Sequence, residues 1–318
     1  MSASFLRHFA EQHLGGLAAD ATTQDVCTQV VLPTTAARRC AYVDLLAGQA
    51  DADGRPYVAT ATIFISHAWR YPITAPLEVM YELDAQAREA NEPVPYFWFD
   101  LFINNQNDTA SKPYSFWTTT FHESIKAIGT VGLVLYPWHD PIPMTRAWCL
   151  FEINSAIQQQ VSLRIRVPPT QRAELRAALA KDFEAVLDML VRVQSERAEA
   201  ANPKDREMIF DHIRSSTESF LGLDGRVKAQ LRAWCLDSAL QFIADDEAAG
   251  RADLDHANLL YNTGVMLRSF GRTDQSIALL TKARRLRQAD KTLAGQCDNG
   301  LGLAHAALGH LDQALALY

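Results

Sequence analysis

Residues 59–69 read ATATIFISHAW, a run of apolar and β-branched residues whose last third is polar and aromatic. Such a run is typical of a strand that is buried on both faces of a sheet. Three further runs of similar character follow along the chain: PYFWFDLF (95–102), TVGLVLYPW (130–138) and SLRIRVPP (162–169). Helical patterns separate them, over residues 75–90, 115–129 and 145–160. This alternation predicts an α/β domain with a parallel sheet, in which residues 63–65 and 131–135 lie on adjacent central strands.

The C-terminal part of the chain contains an internal repeat. RSFGRTDQSIALL (268–280) and AALGHLDQALALY (306–318) correspond at a spacing of 38 residues, with Gly271 and Gly309 at equivalent positions. A small-residue pattern at this period predicts stacked helix pairs. We expect residues 256–284 to form one antiparallel pair that turns near Gly271, and residues 295–318 to form a second pair that turns near Gly309. The sequence therefore predicts an all-α helical-repeat segment after the α/β domain, with an incomplete second repeat.

These patterns divide the chain into four segments. They are an N-terminal extension (1–58), the α/β domain (59–200), a helical connector (201–250) and the repeats (251–318). Local patterns add a short helix within residues 1–20, a β-like piece at VCTQVVLP (26–33) and a helix at 41–46. Residues 170–194 read as helical, with LDMLVRV (187–193) as an alternative fifth strand.

Composition limits the class of protein. The 318 residues carry a net charge of −7, which argues against a general binder of nucleic acid or of anionic membranes. No stretch of 18 apolar residues predicts a membrane span, and no apolar core of a signal peptide is present near the N-terminus. Five cysteines without paired spacing fit reduced thiols. We expect a cytoplasmic protein.

Polar and aromatic side chains follow the predicted strands at the points where the strands end. In an open parallel sheet, ligands bind beyond the carboxyl ends of the strands. The residues that leave the first three strands, together with the helix that follows the third, are therefore candidates for a site: Ser66, His67, Trp69 and Arg70; Asp100, Asn104, Asn105 and Gln106; Trp138, His139 and Asp140; Arg146, Trp148 and Glu152.

Three of these motifs resemble those of the Toll/interleukin-1 receptor (TIR) domain family. They are FISHAWR (64–70), YFWFD (96–100) and WCLFEI (148–153), and the resemblance covers about residues 59–200. It implies a flavodoxin-like parallel sheet and, in enzymatic members, cleavage of NAD at the nicotinamide–ribose bond by the glutamate of the third motif. The matching residue is Glu152. The C-terminal repeats are similar to tetratricopeptide repeats, with the longer spacing of kinesin light chains.

The resemblance and the positions at the strand ends together give a set of candidate site residues. Glu152 is the candidate catalytic group, and Ser66, His67, Trp69, Arg70, Asp100, Asn105 and Trp148 are the candidate substrate-binding residues. Trp148 and Glu152 are four residues apart and share one helix face, so the indole would stack on nicotinamide while the carboxylate stabilises an oxocarbenium-like transition state. NAD is then a substrate, and we expect no cofactor and no metal.

Each candidate residue also has a structural interpretation. Glu152 would be a solvated helix residue, Trp148 and Cys149 core residues, His67 a hydrogen-bonding group of the turn, and Asp100 a cap of the following loop. The sequence has no GxxxxGK[ST] loop, no CxxC pair and no GxSxG elbow.

Three functions remain open at this stage, because folds of this type serve all of them. The first is an NAD nucleosidase whose repeats bind a protein partner. The second is a non-catalytic signalling scaffold that self-associates through the TIR-like domain. The third is a receptor for a nucleotide signal.

Overall fold

A computed structural model of the chain describes residues 1–181, 184–216 and 219–318. The strands are β1 Ile63–Ser66, β2 Phe97–Trp98, β3 Thr130–Val134 and β4 Ser162–Arg166. The helices are α1 Ala3–His13, α2 Thr23–Val26, α3 Leu32–Thr35, α4 Thr74–Glu89, α5 Asp100–Ile103, α6 Tyr114–Ile128, α7 Ala147–Gln158, α8 Pro169–Lys181, α9 Glu184–Val191, α10 Pro203–Ser216, α11 Phe220–Ala248, α12 Leu254–Ser269, α13 Thr273–Leu286, α14 Lys291–Ala307 and α15 Leu311–Leu315.

The four strands form one parallel sheet with the order β2-β1-β3-β4. In the register of the central strands, Phe64 pairs with Val131 on β3 and with Trp98 on β2. The prediction of a parallel sheet with β1 and β3 adjacent at its centre is therefore confirmed. All four residues of β1 are buried, as expected for a strand that is covered on both faces.

Strand β2 is shorter than the predicted run at 95–102. Its two residues are followed at once by α5, which begins at Asp100. Pro93 and Pro95 precede the strand and supply no backbone N–H groups for a longer ladder. On this edge of the sheet the chain's own N-terminus takes the place of a further strand: the Met1 amino group donates to the Phe97 carbonyl and the Phe97 amide donates to the Met1 carbonyl, each at 2.8 Å.

The described residues form two compact units. One consists of Met1–Gln171 and Val193–Val227, and the other of Arg172–Arg192 and Lys228–Tyr318. The boundaries that the sequence placed at residues 59, 201 and 251 stay predictions.

The N-terminal extension contributes to the core of the first unit. Helix α1 inserts Phe5 and Phe9 against Phe102, with ring centroids 5.5 and 4.8 Å apart, and Tyr42 completes the aromatic group. Both phenylalanines are about 1 % exposed. Burying a side chain of this size contributes roughly 1.5–3 kcal/mol. Residues 1–58 are thus integral to the packing around β2 and α5.

Two of the predicted strands are wrong. VCTQVVLP is helical, since α2 continues through a π-helical turn at Cys27–Val31 into α3. Thr22 and Asp25 form a capping box that starts this helix. LDMLVRV begins inside α9, and the buried positions 186, 189, 190 and 193 follow the spacing of a helix rather than that of a strand.

The second unit contains the helix pairs α12–α13 and α14–α15, which confirms the predicted turns. Gly271 and Gly309 lie in these turns with φ of 72° and 77°, a conformation that favours glycine. Gly264 and Gly302 are 38 residues apart, and each lies close to one large side chain. Gly264 faces Leu280 on α13, and Gly302 faces Tyr318, which follows α15. A Cβ on Gly264 would lie 2.9 Å from Leu280 Cγ, and one on Gly302 would lie 2.9 Å from the Tyr318 ring. The two repeats thus share a close contact between a glycine and a large side chain at equivalent positions.

Helix α8 is attached to the repeats by a polar network within the second unit. Arg176 pairs with Asp246 at 2.6 Å and also with Asp255, and His256 Nδ1 lies 3.0 Å from the same Asp246 carboxylate. The Asn262 side-chain amide donates to the backbone carbonyls of Leu179 and Ala180 in the last turn of α8. These contacts attach α8 to the N-terminal end of the repeat segment. Over the three ranges given above, no helix has both the length and the apolar character needed to cross a membrane.

Candidate functional site

The centre of the candidate site is a hydrogen bond between two of the sequence motifs. Ser66 is the last residue of β1, and its hydroxyl donates to Glu152 Oε2 at 2.5 Å. Glu152 lies in the second turn of α7, whose first residue is Ala147 rather than the predicted Thr145. Helical side chains lean toward the N-terminus of their helix, which brings this carboxylate to the carboxyl end of the sheet. Ser66 is fully buried and Glu152 is 7 % exposed, so the helix-surface interpretation of Glu152 does not apply.

Burial dominates the electrostatics of Glu152. It raises the pKa of the carboxyl from its ordinary value of 4.5 to about 8, against the lowering effect of the Ser66 hydrogen bond. The negative charge of Asp100 acts in the same direction as burial. Glu152 is therefore mostly protonated at neutral pH in the closed site. A cation or water that reaches a buried carboxyl lowers its pKa and favours the ionised form.

Asp100 lies at the end of β2, where it opens α5. Its Oδ2 accepts a hydrogen bond from Trp69 Nε1 at 2.6 Å, and its Oδ1 lies 4.0 Å from His67 Nδ1. Burial raises the pKa of Asp100 to about 6, although the Trp69 hydrogen bond lowers it. The ends of β1 and β2 thus bring an acid, an indole N–H and an imidazole to one edge of the sheet.

His67 connects this cluster to two other elements. Its ring packs on Phe99 with centroids 4.7 Å apart, and its Nε2 lies 3.2 Å from the Thr23 hydroxyl. Its backbone carbonyl accepts a hydrogen bond from Cys149 Sγ at 3.4 Å. Burial lowers the pKa of His67 to about 3, so the ring is neutral. Burial and the nearby Glu152 raise the pKa of Cys149 well above its ordinary value, so this residue is a thiol that anchors α7.

Trp148 belongs to a different cluster from Glu152. Its half-buried ring packs against Phe121, Phe151 and Tyr114, with centroid distances of 5.5, 5.9 and 5.8 Å. This places the indole in the aromatic packing between α6 and α7. These contacts agree with the interpretation of Trp148 as a core residue. A stacking role would require the exposed part of the ring to contact the ligand.

Two further candidates lie outside the cluster of hydrogen bonds. Arg70 is exposed. Asn105 is occupied in loop structure: its amide donates to the Arg39 carbonyl at 2.7 Å and its Oδ1 accepts from the Asn107 backbone. The structure thus brings together five of the eight predicted residues, namely Ser66, His67, Trp69, Asp100 and Glu152.

The sequence did not single out Thr23 or Cys149 as members of this cluster. Thr23 is fully buried and comes from the N-terminal extension, whose contact with the loop after β1 is purely tertiary. The capping box at Thr22 and Asp25 was a usable signal for the start of a helix there, but it carries no information on which loop that helix contacts.

Comparisons with known protein families, curated proteins and solved structures find no match to the chain. In the part of the chain that the structure describes, no three His, Cys, Asp or Glu side chains are grouped so as to hold a metal ion.

Proposed function

We propose that the chain is a TIR-like signalling enzyme that cleaves NAD at the nicotinamide–ribose bond, with Glu152 as the catalytic residue and with tetratricopeptide-like repeats that bind a protein partner. The sheet order supports the fold part of this proposal. A parallel order β2-β1-β3-β4 corresponds to the first four strands of flavodoxin-like sheets, whose ligands bind at the carboxyl edge.

The observation that carries the proposal is the Ser66–Glu152 hydrogen bond. It joins the first and third motifs of the family resemblance, 86 residues apart, at 2.5 Å. Asp100, from the second motif, lies near enough to raise the pKa of Glu152. Paired acids with raised pKa values at the ligand-binding edge of a sheet are a physical signature of a functional site.

The chemistry follows from the charge of the substrate. The nicotinamide ring of NAD is cationic, and cleavage breaks the ribose C1′–N bond with both electrons going to the ring nitrogen. The positive charge then moves to the ribose, where an ionised Glu152 would stabilise it. Water adds to C1′ and releases one proton. The Ser66 hydroxyl would hold the carboxylate in place during these steps.

A second candidate function is a non-catalytic scaffold, and the burial of Glu152 favours it. In the closed cluster the glutamate acts as a core hydrogen-bond acceptor that fastens α7 to β1. The self-associating TIR-like domain and the repeats would then act only through protein contacts.

The experiment that separates these functions is incubation of the purified chain with NAD, over a range of protein concentrations that includes assembling conditions. Release of free nicotinamide in proportion to enzyme supports the nucleosidase. Thermal stabilisation by NAD or by a cyclic ADP-ribose-type ligand without turnover would support a nucleotide-signal receptor. The absence of both effects at every concentration would leave the scaffold as the function.

A further inference from the structure

A short segment of the N-terminal extension is fastened along the loop that follows β1. This segment, residues 21–24, we term the strap. Three backbone hydrogen bonds attach it to the loop: Ile73 N–H to the Ala21 carbonyl at 2.9 Å, Thr23 N–H to the Tyr71 carbonyl at 3.0 Å, and Gln24 N–H to the Trp69 carbonyl at 3.2 Å. The strap therefore fixes the loop that carries His67 and Trp69, both of which belong to the Glu152 cluster.

One side chain of the strap reaches into the cluster. Thr23 is fully buried, and its Oγ1 lies 3.2 Å from Nε2 of His67. The other ring nitrogen, Nδ1, lies 4.0 Å from Asp100 Oδ1. That oxygen is buried and has no hydrogen-bond partner among the described residues. The imidazole is thus placed between a hydroxyl on one side and an unsatisfied carboxyl oxygen on the other.

The tautomer of His67 follows from these neighbours. A neutral imidazole carries one N–H and one acceptor nitrogen. With the proton on Nδ1, the ring presents a positive N–H dipole to the Asp100 carboxylate, and Nε2 accepts from the Thr23 hydroxyl. With the proton on Nε2, the Nδ1 lone pair would face the buried Asp100 oxygen, which is unfavourable in a low-dielectric site.

We propose that Thr23 is a positioning residue of the Glu152 site: Asp100 selects the Nδ1–H tautomer of His67, and the Thr23 hydroxyl donates to Nε2 and holds the ring in this orientation. This inference rests on the proposed function. The orientation of His67 matters for Glu152 for two reasons: His67 directly follows Ser66 in the chain, and the His67 carbonyl accepts a hydrogen bond from the Cys149 thiol on α7. His67 therefore connects β1 and α7, the two elements that hold the Ser66–Glu152 hydrogen bond.

Substitution of Thr23 can separate positioning from core packing. Thr23→Val keeps the shape of the side chain and removes the hydroxyl, whereas Thr23→Ser keeps the hydroxyl and removes a methyl group. Thr263→Val is the matched control. Thr263 is 1 % exposed, and its hydroxyl has no hydrogen-bond partner in the described part of the chain.

The first readout is independent of activity. In full-length protein with ¹⁵N-labelled histidine, the His67 ring signals are assigned by their loss in His67→Gln. We expect Nδ1 to carry the proton in all four proteins, because Asp100 selects this tautomer, and we expect the ¹⁵N resonance of the unprotonated Nε2 to move in Thr23→Val alone, because this nitrogen loses the hydrogen bond from the hydroxyl. A wild-type ring protonated on Nε2, or an Nε2 resonance in Thr23→Val that coincides with that of the wild type, would overturn the proposal.

The second readout is the rate of nicotinamide release. Thr23→Val should lower kcat on the order of tenfold with KM little changed, the size of effect that outer-shell partners of a functional histidine have. Thr23→Ser should recover most of the rate. A Thr23→Val enzyme with wild-type kcat would contradict the positioning role. If the wild type itself releases no nicotinamide, the proposed function fails, and the measurement of the ring nitrogens decides the role of Thr23 alone.

Discussion

The hydroxyl of Ser66 lies 2.5 Å from Oε2 of Glu152, although 86 residues separate the two in the chain. This contact joins the end of β1 to the second turn of α7 inside a closed cluster. It makes the ionisation of Glu152 the variable on which both stability and the proposed chemistry depend, because burial raises the pKa of this carboxyl to about 8.

The first prediction concerns the pH dependence of the rate. If ionised Glu152 stabilises the ribosyl cation, kcat/KM for nicotinamide release should rise with pH and level off above about 8, the pKa of this carboxyl in the free protein. The measurement is a pH–rate profile between pH 5 and 9 at constant ionic strength. A rate that falls as pH rises through this range would contradict the assigned role.

The second prediction concerns the stability of the fold, which should decrease as pH rises, whereas the rate should increase. The pKa of Glu152 is 4.5 in an exposed state and about 8 in the fold, so the folded state binds the proton more tightly. Its contribution to stability is complete below pH 4.5 and declines as pH rises toward 8, with a slope of at most about 1.4 kcal/mol per pH unit. Asp100 adds a smaller decline at lower pH, since burial raises its pKa to about 6.

A neutral amide at position 152 carries no such pH dependence. Urea unfolding at pH 5 and at pH 8.5 should therefore show that Glu152→Gln loses less stability over this interval than the wild type does. Equal losses in the two proteins would mean that Glu152 is not buried in the closed form described above.

The third prediction concerns Ser66. The Ser66 hydrogen bond lowers the pKa of Glu152, and bonds to charged groups contribute about 1.5–3 kcal/mol. Ser66→Ala should therefore move the pH–rate profile to higher pH, by about one unit or more. Ser111→Ala serves as the control, because the Ser111 hydroxyl donates to Asp108 within its own exposed turn. A Ser66→Ala profile that coincides with the wild type would separate Ser66 from the titration of Glu152.

The fourth prediction tests the packing of the repeats. Gly264→Ala places a methyl group 2.9 Å from Leu280, which is fully buried, and should destabilise the repeats by about 1–3 kcal/mol. Gly295→Ala, in α14 with open space around it, should stabilise them by up to about 1 kcal/mol because alanine favours the helix. Hydrogen exchange of α12 and α13 measures the effect of Gly264→Ala, and exchange of α14 measures that of Gly295→Ala; a stabilising Gly264→Ala would refute the close approach.

The fifth prediction concerns the network that attaches α8. The pKa of Asp246 is lowered: burial opposes its ionisation, but hydrogen bonds from Arg176 and His256 outweigh burial. A depressed pKa stabilises the fold at neutral pH, and this stabilisation is lost as pH falls through the folded pKa. Asp246→Asn should therefore lower stability at pH 7 on the order of 3 kcal/mol. Asp211→Asn, in an exposed pair with Arg214, should change it by less than about 1 kcal/mol.

The parts of the fold that the sequence predicted are those fixed by local pattern. The buried run that contains Phe64 and the turns at Gly271 and Gly309 have strong signals in composition and spacing, and the structure confirms them. The helical character of residues 26–33 was hidden by their valines, since β-branched residues favour strands unless tertiary packing overrides the preference. The hydrogen bonds between Met1 and Phe97 at the edge of the sheet have no local signal in the sequence.

The candidate site divides in the same way. Motif resemblance located Ser66, Asp100 and Glu152, and the strand ends brought them together. The position of Thr23 beside His67 depends on how the extension folds back across 44 residues of chain, which spacing alone does not specify. The burial of Glu152 was equally out of reach, because its motif is compatible with an exposed helix face as well as with a closed one.

The measurement that tests the central claim most directly is nicotinamide release by Glu152→Gln beside Glu89→Gln. Glu89 serves as the control because its side chain is exposed on α4. Glu78, on the same helix, is less suitable because it accepts a hydrogen bond from Thr170 at 2.9 Å. Loss of cation stabilisation by about 3 kcal/mol or more should lower kcat of Glu152→Gln over a hundredfold, with its melting temperature at pH 7 not below that of the wild type. Glu89→Gln should match the wild type. Equal turnover by wild type and Glu152→Gln would contradict the account.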